Sequence, residues 1–276
     1  MYTLANKFTF IGTGGEAGIP IHSCDCDMCR QARENPKYAR RPPTNILSYK
    51  GKNYFIDMGF PIILTDLKFN QMPIDGIFLT HTHIAHTQGL FYLKWTRQQT
   101  LPVYFAEGSE LVDGFDKLLL SPSFLGPFKE LKPFKTYEMD ELNITPVLLN
   151  HTVRTVGYYI EADDFNLAYL SDTKGLPEQT GEFLKGKEID IVIVDAMYPS
   201  KWDIRDHNNL DEAMNILEKL DFYKAFLTHI SHMYGSNEAL KQQVEKKSAT
   251  LKGEVLIAFD YMYVELKSPF RTGFLY

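Results

Sequence analysis

The segment DGIFLTHTHIAHTQGL (residues 75–90) sets three histidines, His81, His83 and His86, at the end of an apolar run. Imidazole nitrogens are neutral ligands for borderline divalent cations, and two histidines separated by one residue at a strand end can turn toward the same ion. The same arrangement recurs along the chain. His151 follows the apolar run PVLL, Asp172 closes LAYLSD, and His229 and His232 close AFLTHISH. A single histidine at a strand end is more often a hydrogen-bonded structural residue, and a single aspartate before threonine is more often a turn or helix cap. Four apolar runs that each deliver a ligand-type side chain at the C-terminal end are harder to explain without a metal, because converging strand ends are how a rigid scaffold assembles such a centre.

A second group lies near the N-terminus. All three cysteines of the chain, Cys24, Cys26 and Cys29, fall in one C-X-C-X2-C segment. Cysteines so crowded cannot staple a fold with disulfides, and thiolates at this spacing can share one zinc ion. A structural zinc takes four ligands in a tetrahedron, so one place is left open; His22 is the local option. Cys26 and Cys29 as a redox pair would leave Cys24 and Asp25 without a purpose.

These residues require many strands to carry them. Apolar and β-branched runs predict strands at 7–12, 46–49, 54–57, 76–80, 103–106, 144–149, 156–161, 167–170, 189–195, 225–228 and 255–258. Helical periodicity predicts helices at 27–34, 110–120, 178–185, 210–220 and 237–250. Many strands with intermittent helices point to two packed sheets with helices outside. The 276 residues hold 44% hydrophobic and 23% charged side chains, the balance of a globular chain able to bury a sizeable core. There is no repeat, low-complexity tract or long linker, and residues 1–276 read as a single domain with a metal loop at about 20–32. No apolar run is long enough for a membrane span, and the N-terminus lacks the features of a secretory signal, so the expected location is the cytoplasm. A formal net charge of −6 argues against a broad nucleic-acid surface, which Lys and Arg would have to supply.

The order and spacing of GTGGEAGIP, CDCDMC, LTHTHIAHTQGL, LLNHT, LSDTKGLPE, a lone His207 and LTHISH resemble the metallo-β-lactamase superfamily. Within it the resemblance is to the phosphoribosyl 1,2-cyclic phosphate phosphodiesterases of bacterial phosphonate breakdown, and it runs along almost the whole chain. It implies an α/β (α+β) fold, an αββα sandwich of two mixed β-sheets with helices on the outer faces. It also implies a first metal held by His81, His83 and His151, a second held by His86 and His229, and Asp172 bridging the two. His232, three residues beyond the last active-site histidine, would be the fourth ligand of a structural zinc on Cys24, Cys26 and Cys29. His207 would be the general acid that protonates the departing alkoxide. The catalytic ions would be Mn2+ or Zn2+, lowering the pKa of bound water so that hydroxide is available near neutral pH. The expected activity is hydrolysis of a small cyclic phosphate, and the resembled enzymes imply a homodimer.

One position departs from the pattern. The family's His-X-His-X-Asp-His motif places an aspartate where this chain has Ala85. A methyl group cannot coordinate, so the second metal is expected to bind more weakly than the first and catalysis to be impaired. Two other readings follow from relatives in the superfamily: a binding or carrier protein of the pyrroloquinoline quinone biosynthesis type, with a degraded catalytic centre, or a tRNA-processing nuclease. The first is opposed by the survival of every other ligand position, the second by the lack of a Lys/Arg-dense arm in the sequence.

Overall fold

The computed structural model describes residues 6–97, 100–109 and 125–269. Two seven-stranded sheets face each other. The first comprises β1 (Lys7–Gly12), β2 (Thr44–Tyr49), β3 (Lys52–Met58), β4 (Gly76–Phe78), β5 (Leu101–Ala106), β6 (Leu125–Leu131) and, from the C-terminal end of the chain, β14 (Tyr263–Glu265), in the order β14-β1-β2-β3-β4-β5-β6. The second comprises β7 (Tyr137–Met139), β8 (Leu142–Leu149), β9 (Thr155–Glu161), β10 (Asn166–Leu170), β11 (Glu188–Asp195), β12 (Asp221–Thr228) and β13 (Glu254–Ile257), in the order β13-β12-β11-β10-β9-β8-β7. Each sheet is mixed in the same way. An antiparallel meander leads into a parallel half, β3 to β6 in one sheet and β10 to β13 in the other.

Strand alternation divides the apolar residues among three layers. Successive side chains of a strand point to opposite faces, so Leu167 and Tyr169 of β10 enter the space between the sheets while Ala168 and Leu170 face outward. Tyr54 and Ile56 of β3 likewise point inward, and Phe55 and Met58 pack on the outer face of the first sheet. Aromatic rings fill the middle, with Phe10 against Phe226 and Phe78 against both Tyr104 and Tyr158. The outer face of the second sheet is covered by the helices Leu210–Leu217 and Asn237–Ser248, through Ala213, Met214, Leu217, Leu240 and Val244. This is the expected α+β sandwich of two mixed sheets. No helix among the described residues is long and apolar enough to cross a membrane.

Most elements lie where periodicity puts them, and the departures have local causes. The strand expected at 76–80 stops at Phe78: Leu79 N–H still reaches Tyr104 O, but Thr80 N–H turns to the carboxylate of Asp57. The helix expected to reach residue 220 ends at Leu217 in a tightened last turn, Lys219 N–H bonding Ile216 O and Leu220 N–H bonding Leu217 O. The strands β6, β7 and β14 were not anticipated: all three are sheet edges, β7 and β14 are only three residues long, and β6 carries a proline and polar residues with little alternation to read. The helix expected at 110–120 lies outside the described residues.

Close backbone contact fixes the turn that carries the first histidines. A Cβ on Gly59, just past β3, would lie 1.7 Å from the carbonyl oxygen of Ala85 and 2.8 Å from that of Pro43, so only glycine fits there. Gly59→Ala is expected to cost about 1–3 kcal/mol of unfolding free energy, the scale of forced overpacking. Gly181→Ala, in the helix Glu178–Leu184 with its nearest atom 3.9 Å away, should instead gain about 0.5–1 kcal/mol from helix propensity. Urea denaturation of the two variants measures both; equal midpoints would contradict the packing argument.

Candidate metal centre

β3 and β4 deliver the first part of the site side by side. Asp57, fully buried at the end of β3, accepts hydrogen bonds from Thr80 N–H at 2.8 Å, Thr80 Oγ1 at 2.8 Å and His86 Nδ1 at 2.8 Å. This carboxylate turns the chain after β4 so that His81, His83 and His86 crowd together. The second sheet locks the turn from below: Val156 N–H donates to Thr80 O at 3.0 Å and Tyr158 Oη to Leu79 O at 2.5 Å.

The remaining side chains come from the second sheet. His151 follows β8, Asp172 follows β10 and His229 follows β12. His83 Nδ1 lies 3.0 Å from His81 Nε2 and 3.2 Å from His151 Nε2, and these three imidazoles form one group able to share a cation. His151 is aimed by its other nitrogen, which donates to Asp206 O at 2.8 Å. Such a hydrogen bond behind the ligating nitrogen is the usual way a metal-binding histidine is oriented.

Asp172, buried at 1% exposure, stands between the groups. Its Oδ2 is 3.0 Å from His86 Nε2 and 3.9 Å from His81 Nε2, and its Oδ1 is 3.2 Å from His229 Nδ1. His81, His86 and Asp172 make a second group with ligand atoms close enough for one ion. His229 stands beside this group. It touches Asp172 and stacks on His86 and His207, yet the compact ligand groups around Asp172 are completed by His81 and His86, and by His151 and His207. Both Asp57 and His229 hold positive φ angles, 57° and 61°. Non-glycine residues adopt this conformation at a cost, and they do so here where side chains must be aimed.

The donor set fits a divalent cation. His229 Nε2 is buried and has no hydrogen-bond partner, a loss of about 1–3 kcal/mol unless a cation takes its lone pair, while His86 Nε2 faces the Asp172 carboxylate at 3.0 Å. Burial pushes His81 and His229 well below the ordinary histidine range, keeping them as neutral ligands. His86 is opposite: burial would lower it, but Asp172 and Asp57 outweigh that and carry it up to about 10, so a cation must displace a proton there. Asp172 is held well below the usual carboxylate range, because the imidazoles beside it overcome the effect of burial.

Ala85 lies in the helical turn Ile84–Thr87, 3% exposed, between His83 and His86. It brings no ligand atom to the cluster. His207 is 2% exposed, and its ring lies 4.9 Å from that of His151 and 4.8 Å from that of His229. Its Nδ1 donates to Asp195 Oδ2 at 2.8 Å. Burial alone would lower His207, yet Asp195 raises it to about 9. Asp57 and Asp195 were missed in the sequence. Each sits at the end of an apolar run, the same signal that marks Asp172, but neither falls in a spacing that singles it out.

The cysteine group is complete. His232 Nδ1 lies 3.3 Å from Cys24 Sγ, 3.4 Å from Cys26 Sγ and 3.8 Å from Cys29 Sγ, and the four form one group able to hold an ion. His22 is exposed and takes no part in it. Without a cation, burial pushes the Cys29 thiol up to about 12, so three thiolates at this separation call for a bound dication. The segment 229–232 thus faces both clusters. It is stitched to the N-terminal loop by Ile230 N–H to Thr13 O at 2.9 Å and Gly15 N–H to Ile230 O at 3.2 Å.

Comparisons with known proteins agree with this fold. Residues 60–230 match a beta-lactamase superfamily domain. Among curated proteins, ribonuclease Z of Archaeoglobus fulgidus is 23% identical, with 94% of this chain and 97% of that protein aligned. An octanoyltransferase of Porphyromonas gingivalis is 24% identical over 80% of this chain, which spans only 45% of that protein's length. Among solved structures, a diphosphatase from the PhnP family superposes with a TM-score of 0.76 at 26% identity, covering 95% of this chain and 98% of that one. Zn2+-bound PqqB from Methylobacterium extorquens superposes with a TM-score of 0.75 at 17% identity, covering 94% and 100%, a likeness of fold alone.

If the two clusters are separate metal sites, they should be emptied separately. Cys26→Ala is expected to lose one equivalent of zinc, keep the metal of the histidine cluster and unfold at lower temperature. His83→Ala should lose metal from the histidine cluster and retain the cysteine-bound zinc. Elemental analysis of protein purified without chelator checks both; unchanged zinc content and melting temperature in Cys26→Ala would contradict the assignment.

Proposed function

Because this chain belongs to the metallo-β-lactamase superfamily, whose fold implies divalent metal ions, we propose that it is a metal-dependent phosphodiesterase opening a small cyclic phosphate of the ribose type. The observation that carries this reading is His207, buried beside the histidine cluster and held by Asp195 at 2.8 Å. A proton donor at that place has a purpose where an alkoxide leaves. Divalent cations at such a site neutralise charge on phosphate oxygens and make a nucleophile of water near neutral pH. Zn2+ at the cysteine site and Mn2+ or Zn2+ at the histidine cluster are the proposed ions.

The chain's own residues divide the remaining work. His81, His83 and His151 would hold the first ion. His86 and His229 would hold the second, with Asp172 standing between the two groups. Asp172 stays ionised between them and serves as a ligand, leaving proton transfer to His207. With Asp195 opposite Nδ1, the His207 imidazole keeps its second proton at neutral pH and presents Nε2–H to the leaving oxygen. Asp195, itself pushed up to about 6 by burial against the opposing pull of His207, is still ionised at pH 7. Ala85 removes an anionic ligand from the second ion and weakens it selectively.

A nuclease reading draws support from the near full-length ribonuclease Z likeness. Precursor tRNA therefore belongs in the same assay as the cyclic phosphates. The sequence's charge of −6 and its lack of a basic arm weigh toward the small substrate.

Ala85→Asp, assayed with added Mn2+ on a panel of ribose cyclic phosphates, is expected to raise kcat/KM tenfold or more over the wild-type chain. No hydrolysis of any cyclic phosphate by either form would contradict the proposal, and cleavage of precursor tRNA alone would replace it with the nuclease reading. The proton-donor role makes a separate prediction. Activity of the wild-type chain should fall on the alkaline side as His207 loses its proton. Asp195→Asn removes the charge that raises the His207 pKa, so the alkaline limb should move to lower pH. A limb that stays in place would show that His207 is not the group titrating.

A further inference from the structure

The geometry points to the stacked pair Tyr198 and Trp202 as a platform for the planar ring of a substrate, so that the favoured cyclic phosphate carries a nucleobase. This inference rests on the proposed phosphodiesterase reading and adds the part of the substrate that lies beyond the phosphate.

The two rings lie with centroids 6.0 Å apart and planes 8° from parallel. Tyr198 in turn meets His207 edge-on, 6.3 Å between centroids, so a row of rings leads outward from the proton donor to the protein surface. Trp202 ends the row and remains 41% exposed. An indole this exposed, one ring beyond Tyr198 from the proton donor, is available for stacking, a contact that accepts any base because every base has a π-face. A phosphate held at the histidine cluster beside His207 would place a base, one sugar ring away, along this row.

The segment carrying the pair is fixed in advance. Tyr198 O accepts from Leu210 N–H at 2.9 Å and from Tyr234 Oη at 2.7 Å. Trp202 O accepts from Asn209 Nδ2 at 2.8 Å, and Lys201 N–H bonds Asp211 Oδ2 at 3.1 Å. Lys174, two residues after Asp172, reaches Asp203 Oδ1 at 3.2 Å. A platform held by its backbone is not ordered at the ligand's expense. Burial, with Asp206, Asp195 and Glu16 nearby, holds the Tyr198 phenol above its ordinary range, and an uncharged ring at that place suits an uncharged heterocycle.

The test compares adenosine 2′,3′-cyclic phosphate with the cyclic phosphate of methyl riboside, which has a methyl group in place of the base. Trp202→Ala is expected to raise KM for the adenosine compound about tenfold, within the range that alanine substitution of a stacking residue gives, with kcat little changed. KM for the methyl riboside compound should stay the same, and Trp202→Phe should retain most of the adenosine affinity. Equal changes for both substrates, or none for either, would overturn the platform. A binding measurement separates it from the hydrolysis reading. Adenosine 3′-monophosphate titrated onto the metal-loaded chain should quench tryptophan fluorescence, and Trp202→Phe should abolish that quenching. Quenching without hydrolysis of either compound would uphold the platform and sink the phosphodiesterase reading. No quenching, or quenching that survives in Trp202→Phe, would overturn the platform itself.

Discussion

An ionised carboxylate buried among imidazoles is the constraint around which this molecule is arranged. Asp172 lies 1% exposed with His86, His81 and His229 within 3.9 Å. Removing such a charge from water costs several kcal/mol unless positive partners surround it. Neutral histidines alone do not repay that cost, and burial keeps His81 and His229 neutral. One proton on His86 offsets part of it in the absence of metal. Divalent cations would offset far more, and one of them would also satisfy the orphaned Nε2 of His229. Stability and metal binding are therefore the same problem at this site.

The two sheets solve it by dividing the labour. The first sheet presents His81, His83 and His86 on a turn held by Asp57 and Thr80, with Gly59 packed so closely beneath that no side chain fits. The second presents His151, Asp172 and His229 just past the ends of β8, β10 and β12 and His207 from the loop after β11, with Asp206 O and Asp195 orienting two of the rings. Tyr158 and Val156 tie one set to the other across the interior. The cysteine cluster extends the same logic outward. His232 joins the N-terminal loop to the turn that carries His229, so a zinc ion there would stiffen one wall of the cleft.

Much of this was legible from residue types and spacing. His81, His83, His86, His151 and Asp172 end apolar runs that prove to be strands or their continuations, and they meet. The C-X-C-X2-C segment and His232 meet as well, although 203 residues separate Cys29 from His232. What could not be read is what holds these groups in place. Asp57 and Asp195 are single carboxylates at strand ends, and only the pairing of β3 with β4 and the return of the chain at His207 give them partners. The strands β7 and β14 escaped for a different reason. Three-residue strands with exposed faces carry almost no periodic signal, and register with a neighbour alone defines them. The position of His229, near Asp172 but outside the tightest ligand groups, also depends on a left-handed backbone that no pattern in THISH announces.

Ala85 is the one position at which the chain departs from the resembled ligand motif. Every other ligand position of the resembled motif is present, and the methyl group removes one anion from one side of the cluster while leaving His81, His83 and His151 untouched. The direct measurement is anomalous diffraction at the zinc edge on crystals of the wild-type chain grown with Zn2+. The account predicts a full peak within Cys24, Cys26, Cys29 and His232, a full peak at His81, His83 and His151, and a weak or absent peak beside His86 and Asp172. Two equal, fully occupied peaks within the histidine cluster would contradict it.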